Sequence, residues 1–247
     1  MQRLKKLLFR IPVSQTICQS LRHQYVVSIL EPHLGGYKHG GDHATEVTPL
    51  WEYFYHVKGC RNVLDVGCGE GWHILAMRGI GYEAWGVEGL KKALRNSPVR
   101  ERIIHHDLTK GPFLFPNRQF DLVWCSEVVE HIEERFVGNV ILTLCGNCAR
   151  YVAMTYADSS GGYHHVNCKP PEYWIRLIEA CGLTYNEHLT MQMRNLVREE
   201  CAGYKHFRDR GLIFEKPQQC IQSRGCNNLF RSNCGEGPNI DYHPSRH

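Results

Sequence analysis

The 247-residue chain has no run approaching the ~18 apolar residues of a membrane-spanning helix, which excludes a helical membrane protein from its class. It has little net charge: +4 at pH 7, with 29 Lys and Arg against 25 Asp and Glu. That balance is too weak to mark a nucleic-acid-binding domain. No lipid-binding stripe, long basic run or sugar-binding array of aromatics stands out. The twelve cysteines form no even framework in a short chain; Cys68, Cys125 and Cys181 are scattered through apolar segments. They read as reduced thiols and exclude a disulfide scaffold. A further absence lies at the start: no acid occurs before Glu31, while Arg3, Lys5, Lys6, Arg10 and Arg22 alternate with Leu4, Leu7, Leu8 and Ile11. This basic, helically spaced segment reads as an N-terminal helical extension, with a mitochondrial targeting segment as the alternative. The expected compartment is the cytoplasm.

The remaining composition, 43% hydrophobic and 22% charged, suits one α/β domain of this length. Strand-like runs (Arg61 to Val66, Glu83 to Val87, Ile103 to His106, Gln119 to Cys125, Arg150 to Tyr156, Leu183 to Asn186, Gly211 to Glu215) alternate with helical ones. The helical runs are Thr48 to Phe54 with Thr48 as N-cap, Trp72 to Gly79, Ser126 to Leu144, and Pro171 to Cys181 closed by Gly182. Alternation of this kind predicts a doubly wound, mostly parallel sheet. The organisation expected is a basic extension and Gly/His-rich loop over residues 1–48, a catalytic domain over 49–216, and a polar, Cys-containing tail over 217–247.

The motif with most chemistry in it is Val63-Leu64-Asp65-Val66-Gly67-Cys68-Gly69-Glu70-Gly71-Trp72. An apolar strand runs into a glycine turn and then a helix, whose free N–H groups face a ligand. It is not the G-x-G-x-x-G of dinucleotide sites, because Trp72 fills the third glycine position. Asp65 would repel a phosphate but suits a cationic or amino-bearing ligand. Glu88 follows Gly71 by seventeen residues, at a strand end where a carboxylate accepts ribose hydroxyls.

The D-V-G-C-G-E-G loop resembles the cofactor loop of class I S-adenosylmethionine (SAM)-dependent methyltransferases. The resemblance extends from Gly35 to Lys216 through a G-G-x-x-x-G-G-D segment (Gly35, Gly36, Gly40, Gly41, Asp42), E-V-V-E-H-I after the fourth strand, and G-G-x-H-H-V-N before P-E-Y-W. These motifs are similar to a bacterial or phage-type subgroup. The resemblance implies a Rossmann-like sheet of seven strands with the last antiparallel, and SAM as cofactor. It further implies cofactor contacts from Asp65, Gly67, Cys68, Gly69, Gly71, Glu88 and Gly89. An adenine site at Asp107 and Leu108, and donor contacts from Ser126 and Glu127, follow from it in the same way.

Glu127 and His131 stand four apart, which on a helix gives them one face. Glu130 and His131 cannot then both face the site. His131, His164 and His165 are the candidate bases, since imidazole titrates near neutrality. Tyr37, His39 and Trp51 are the expected lid and, with Asn167, the substrate contacts. Cys145-x-x-Cys148 followed by His164 or His165 and Cys168 imitates zinc spacing, but a strand separates the halves, so no metal is expected. The absence of N/D-P-P-Y/F after the fourth strand argues against base or glutamine N-methylation. The expected reaction is methyl transfer to an O or N nucleophile on a small molecule or glycan. An RNA-directed (cap or tRNA) enzyme is the alternative, and a non-catalytic SAM-binding scaffold the second.

Overall fold

The computed structural model describes residues 32–34, 36–159, 162, 164–200 and 204–217. The expected N-terminal helix and the C-terminal tail lie outside these described residues. Strand β1 (Asn62–Val66) places Val63, Leu64 and Val66 in the core, because a central parallel strand is covered on both faces. β2 (Glu83–Glu88), β3 (Ile103–His105), β4 (Phe120–Cys125), β5 (Cys148–Thr155), β6 (Thr184–Tyr185) and β7 (Gly211–Glu215) complete a seven-stranded sheet in the order β3-β2-β1-β4-β5-β7-β6. The pairs β1–β2, β2–β3, β1–β4 and β4–β5 are parallel; β7 runs antiparallel to β5 and β6. The expected sheet is therefore the observed one.

Helices cover both faces. α1 (Thr48–His56), α2 (Trp72–Ile80), α6 (Glu187–Glu200) and α7 (Lys205–Arg210) pack Trp51, Phe54, Ile74, Met77, Met193 and Phe207 against one face. α4 (Val137–Gly146) and α5 (Pro171–Glu179) pack Val140, Leu144, Trp174 and Ile178 against the other. A short α3 (Lys91–Asn96), not anticipated from the sequence, follows β2. Strand order reverses between β1 and β4, each hydrogen-bonded to the other and continuing outward in opposite directions. The crevice beyond their carboxyl ends is where such sheets bind ligands.

Two local expectations are corrected. Thr48 is the first residue of α1, beside Pro49, and Val47 occupies the cap position without a side-chain bond. More consequentially, Ser126 to Leu144 is not one helix. Glu127 adopts φ +55°, and the chain makes two single 3₁₀ turns, Val129–His131 and Glu134–Phe136, before α4 starts at Val137. Thr155 on β5 causes the break. Its hydroxyl accepts from the Glu127 amide at 2.8 Å and donates to Glu127 Oε1 at 3.0 Å, fixing a conformation no helix allows. Val129 and Ile132 still reach the core from these turns, so helical spacing of apolar residues did not require a helix. Glu127 and His131 are thus not neighbours on a helix face.

Candidate active site

The glycine turn after β1 is held from beneath by β2. The amides of Gly67 and Cys68 donate to the Val87 carbonyl at 2.9 and 3.2 Å. The Gly69 amide donates to Glu88 Oε2 at 2.8 Å, and the Leu90 amide to Oε1 at 2.7 Å. Burial pushes the Glu88 carboxyl up; the amide hydrogen bonds act against it. Each oxygen keeps acceptor capacity for a further donor. Gly69 has φ +55° and nothing within 4 Å of where a Cβ would stand, so its backbone borders open space. Asp65 is 1% exposed, and its Oδ2 has no hydrogen-bond partner. It faces Nδ1 of His73 at 3.5 Å, and His73 in turn meets the Thr45 hydroxyl through Nε2 at 2.9 Å.

Glu70, in the middle of the turn, was not singled out from sequence. It is buried, and its carboxylate collects the Tyr37 hydroxyl at 2.5 Å, His39 Nδ1 at 2.7 Å, Trp72 Nε1 at 3.0 Å and the Gly40 amide at 3.2 Å. Burial would raise its pKa, but these hydrogen bonds outweigh it and hold the carboxyl below its ordinary value. Burial, then Glu70, pushes the Tyr37 phenol up, so it remains a donor. The segment from His33 to Asp42 is thereby tied across the pocket as a strap. At one end His33 Nε2 meets Asp107 Oδ2 at 3.2 Å; further along, a Cβ on Gly36 would stand 2.7 Å from the His131 ring. Asp107 Oδ1 accepts from the Thr109 amide at 2.9 Å and hydroxyl at 2.7 Å. Burial works against ionisation of Asp107, yet the Thr109 bonds hold its carboxyl below the usual range.

Beyond β4, Glu127 Oε2 lies 3.0 Å from Nδ1 of His206 on α7. Burial raises the Glu127 carboxyl, and the His206 contact more than reverses this. His206 carries no local sequence signal, since 79 residues separate it from Glu127 and only the packing of α7 joins them. Glu130 is fully buried and its carboxyl is pushed up by burial and by Glu127. Burial lowers His131 to about 4, so its imidazole is neutral at pH 7. The loop after β5 docks here: Val166 and Asn167 amides both donate to the Glu130 carbonyl, at 2.9 and 3.0 Å.

One cavity joins these pieces. Gly67, Cys68, Gly69, Glu88 and Gly89 line one side; Asp107 and Leu108 line its end beneath the strap; Ser126, Glu127 and His131 line the other, and Tyr37 covers it. Gly71 caps α2 behind the turn, and Asp65 reaches the cavity only through His73. His39 joins through Glu70. His164, His165 and Asn167 sit behind His131 in the β5 loop and do not line the cavity. Trp51 is 0% exposed, packed 5.7 Å from Trp124 and 5.2 Å from His73, so it is a core residue and no lid. The zinc-like spacing does not assemble: Cys145 lies at the end of α4 and Cys148 starts β5, while His164, His165 and Cys168 lie beyond the far end of β5, about 25 Å of strand away.

The cavity carries six carboxylates (Asp42, Glu46, Glu70, Glu88, Asp107, Glu127) against a single lysine, Lys38, itself paired with Asp42 at 3.2 Å. Such a lining disfavours a phosphate-bearing ligand and suits a sulfonium with a free amino group. With the open backbone at Gly69 and this acidic lining, the residues fit SAM.

Residues 64–144 match the family described as "Methyltransferase domain". No curated protein matches the chain. Among solved structures, magnesium protoporphyrin IX methyltransferase (ChlM) from Synechocystis PCC 6803 with bound SAH is similar at 11% identity and TM-score 0.52, over 86% of this chain and 92% of that one. The same enzyme with bound SAM aligns at 13% identity and TM-score 0.50, over 85% of this chain and 88% of that one. The sugar N-methyltransferase KedS8 from Streptoalloteichus sp ATCC 53650 aligns at 15% identity and TM-score 0.51, over 73% of this chain and 90% of that one. The matched segment runs from β1 into α4 and so holds the glycine turn, Glu88, Asp107 and Glu127. Sheet order, this segment and the acidic cradle at the β1/β4 crevice support a SAM-dependent methyltransferase with a Rossmann-like fold.

Proposed function

We propose that the chain moves the methyl group of SAM to an oxygen or nitrogen nucleophile on a small molecule or glycan. The observation that carries this reading is the convergence of the glycine turn, Glu88, Asp107, Glu127 and His131 on one acidic cavity beyond the parallel strands. SAM supplies a methyl already activated by the positive sulfur. The protein's task is alignment of donor and acceptor and exclusion of water. Glu88 takes the ribose hydroxyls with the capacity left after its two amide bonds. Asp107 offers Oδ2 to the adenine amino group, and Leu108 packs beside the ring. Asp65 and the amides of the turn serve the amino-acid end, and Glu127 supports the cation. His131, which borders the cavity and is neutral at pH 7, is the candidate to receive the acceptor's proton, with His164 and His165 behind it.

The strap favours a small acceptor, because His33 to Asp42 already covers the cofactor side of the cavity. The scarcity of lysine and arginine in the lining disfavours an RNA backbone. Calorimetry with SAM, followed by tritiated-methyl transfer into fractionated cell extract, tests the reading. Heat of binding and label in the small-molecule or glycan fraction are expected. Label confined to RNA would overturn the acceptor class, and absence of any binding heat would overturn the whole.

A further inference from the structure

Behind the cavity, beyond the ends of β4 and β5, three potential metal ligands converge outside the cofactor cradle. One donor atom from each of Glu130, His131 and His165 lies within 4.8 Å of the other two. Ligands around a first-row metal, at about 2.1 Å from it, stand about 3 to 3.4 Å apart, so modest side-chain rotation closes the set. Glu130 is 0% exposed and neither of its oxygens has a hydrogen-bond partner. A buried carboxylate in that condition is costly unless a proton or a cation compensates it. The protein nonetheless holds it there firmly, since the loop of His165 is clamped to the Glu130 carbonyl by two amides.

The two imidazoles are oriented alike. His131 Nδ1 lies 3.1 Å from the His164 carbonyl, and His165 Nδ1 lies 3.2 Å from the Ser159 carbonyl. A carbonyl only accepts, so each Nδ1 carries the hydrogen and each Nε2 presents a lone pair. That is the arrangement of a metal-binding histidine, with the carbonyl fixing ring and tautomer. A Cβ at Gly162 would collide with the His165 ring, so the glycine of the G-x-H-H run is what lets the imidazole sit there.

We propose that Glu130, His131 and His165 bind a divalent first-row transition-metal ion beside the wall of the cavity that His131 lines. Two nitrogens and one carboxylate suit Mn²⁺, Fe²⁺, Co²⁺ or Zn²⁺, whereas Ca²⁺ and Mg²⁺ prefer oxygen-only sets. Three protein ligands leave coordination positions open, and His131 borders the cavity that Ser126 and Glu127 also line. Resting on the methyl-transfer reading, this ion holds and polarises an oxygen of the acceptor beside the donor. His131 and His165 then serve as metal ligands rather than as bases.

The test uses the full chain, freed of metal by chelation and then equilibrated separately with Mn²⁺, Co²⁺ and Zn²⁺. Elemental analysis after gel filtration reads stoichiometry, and the visible spectrum of the Co²⁺ form reads nitrogen ligation. About one ion per chain is expected, with the affinity falling at least about tenfold in Glu130→Gln and in His165→Asn. No ion retained by the unaltered chain overturns the proposal, as does equal retention by both variants. SAM calorimetry on the same samples reports folding and separates the two readings. SAM heat without metal uptake removes the metal site alone. Metal uptake lost in the variants, without SAM heat in the unaltered chain, removes methyl transfer and leaves the site standing.

Discussion

Single residues set the chemistry of this cavity through what surrounds them. Gly69 borders open space at φ +55°, so Gly69→Arg should place a long cation where the cofactor's own positive charge belongs. Calorimetry should show SAM affinity reduced by at least about 100-fold, with only about 1–2 kcal/mol of folding stability lost to left-handed strain. Glu70 works differently, as an anchor. Glu70→Ala removes the acceptor of four donors and should destabilise the strap by about 2–4 kcal/mol. Its pH dependence has a definite sign. The folded carboxyl lies below the ordinary glutamate value of 4.5, so the unfolded state takes up the proton first as pH falls. The anchor's contribution is complete above about 4.5 and is lost as pH drops through the folded value. Acid titration followed by Trp72 fluorescence should show a step there that is missing in Glu70→Ala.

At the scale of elements, two irregular segments border the cavity where strands and helices do not. The strap from His33 to Asp42 is held by polar contacts to Asp107 and Glu70 and by one small apolar cluster, Leu34 and Tyr37 on Leu90 and Ala93. Such segments open at low free-energy cost. SAM should therefore slow amide hydrogen exchange in 36–42 and in the glycine turn 67–71 together. Protection of the turn alone would show that the strap stands clear of the cofactor. The second segment is the broken stretch between β4 and α4. A continuous helix there would turn Glu130 and His131 to different faces, whereas the 3₁₀ turns let both meet the β5 loop.

For the whole molecule, the sheet is secured by aromatic packing on the face opposite α4 and α5. Trp124 on β4 stacks on Phe207 of α7 at 5.6 Å and meets Trp51 of α1 edge-on at 5.7 Å. Trp124→Ala should lower stability by about 3–5 kcal/mol, read by denaturant unfolding. Because α7 also supplies His206 to Glu127, the same substitution should weaken SAM binding. Ligand linkage gives the complementary expectation. SAM at 100 times its dissociation constant should add about 2.7 kcal/mol, or roughly 5–10 °C in Tm for a domain of this size.

Much of this was written locally in the chain. Alternating apolar strands and helices determine a doubly wound sheet, and the D-x-G-x-G-x-G turn with Glu88 is legible as a cradle suited to SAM. These are short-range features, in which hydrophobic period and glycine placement act within a few residues. Tertiary structure decided what depends on contacts between distant segments. It put Trp51 into the core, because burying an indole outweighs its use as a lid. It broke the predicted helix at Glu127, because Thr155 on the neighbouring strand satisfies the freed amide and carboxylate. It brought Glu70 to the strap, His206 to Glu127, and His165 to Glu130 and His131. None of these partners lies near the other in sequence, and periodicity is silent on pairs that only sheet order brings together.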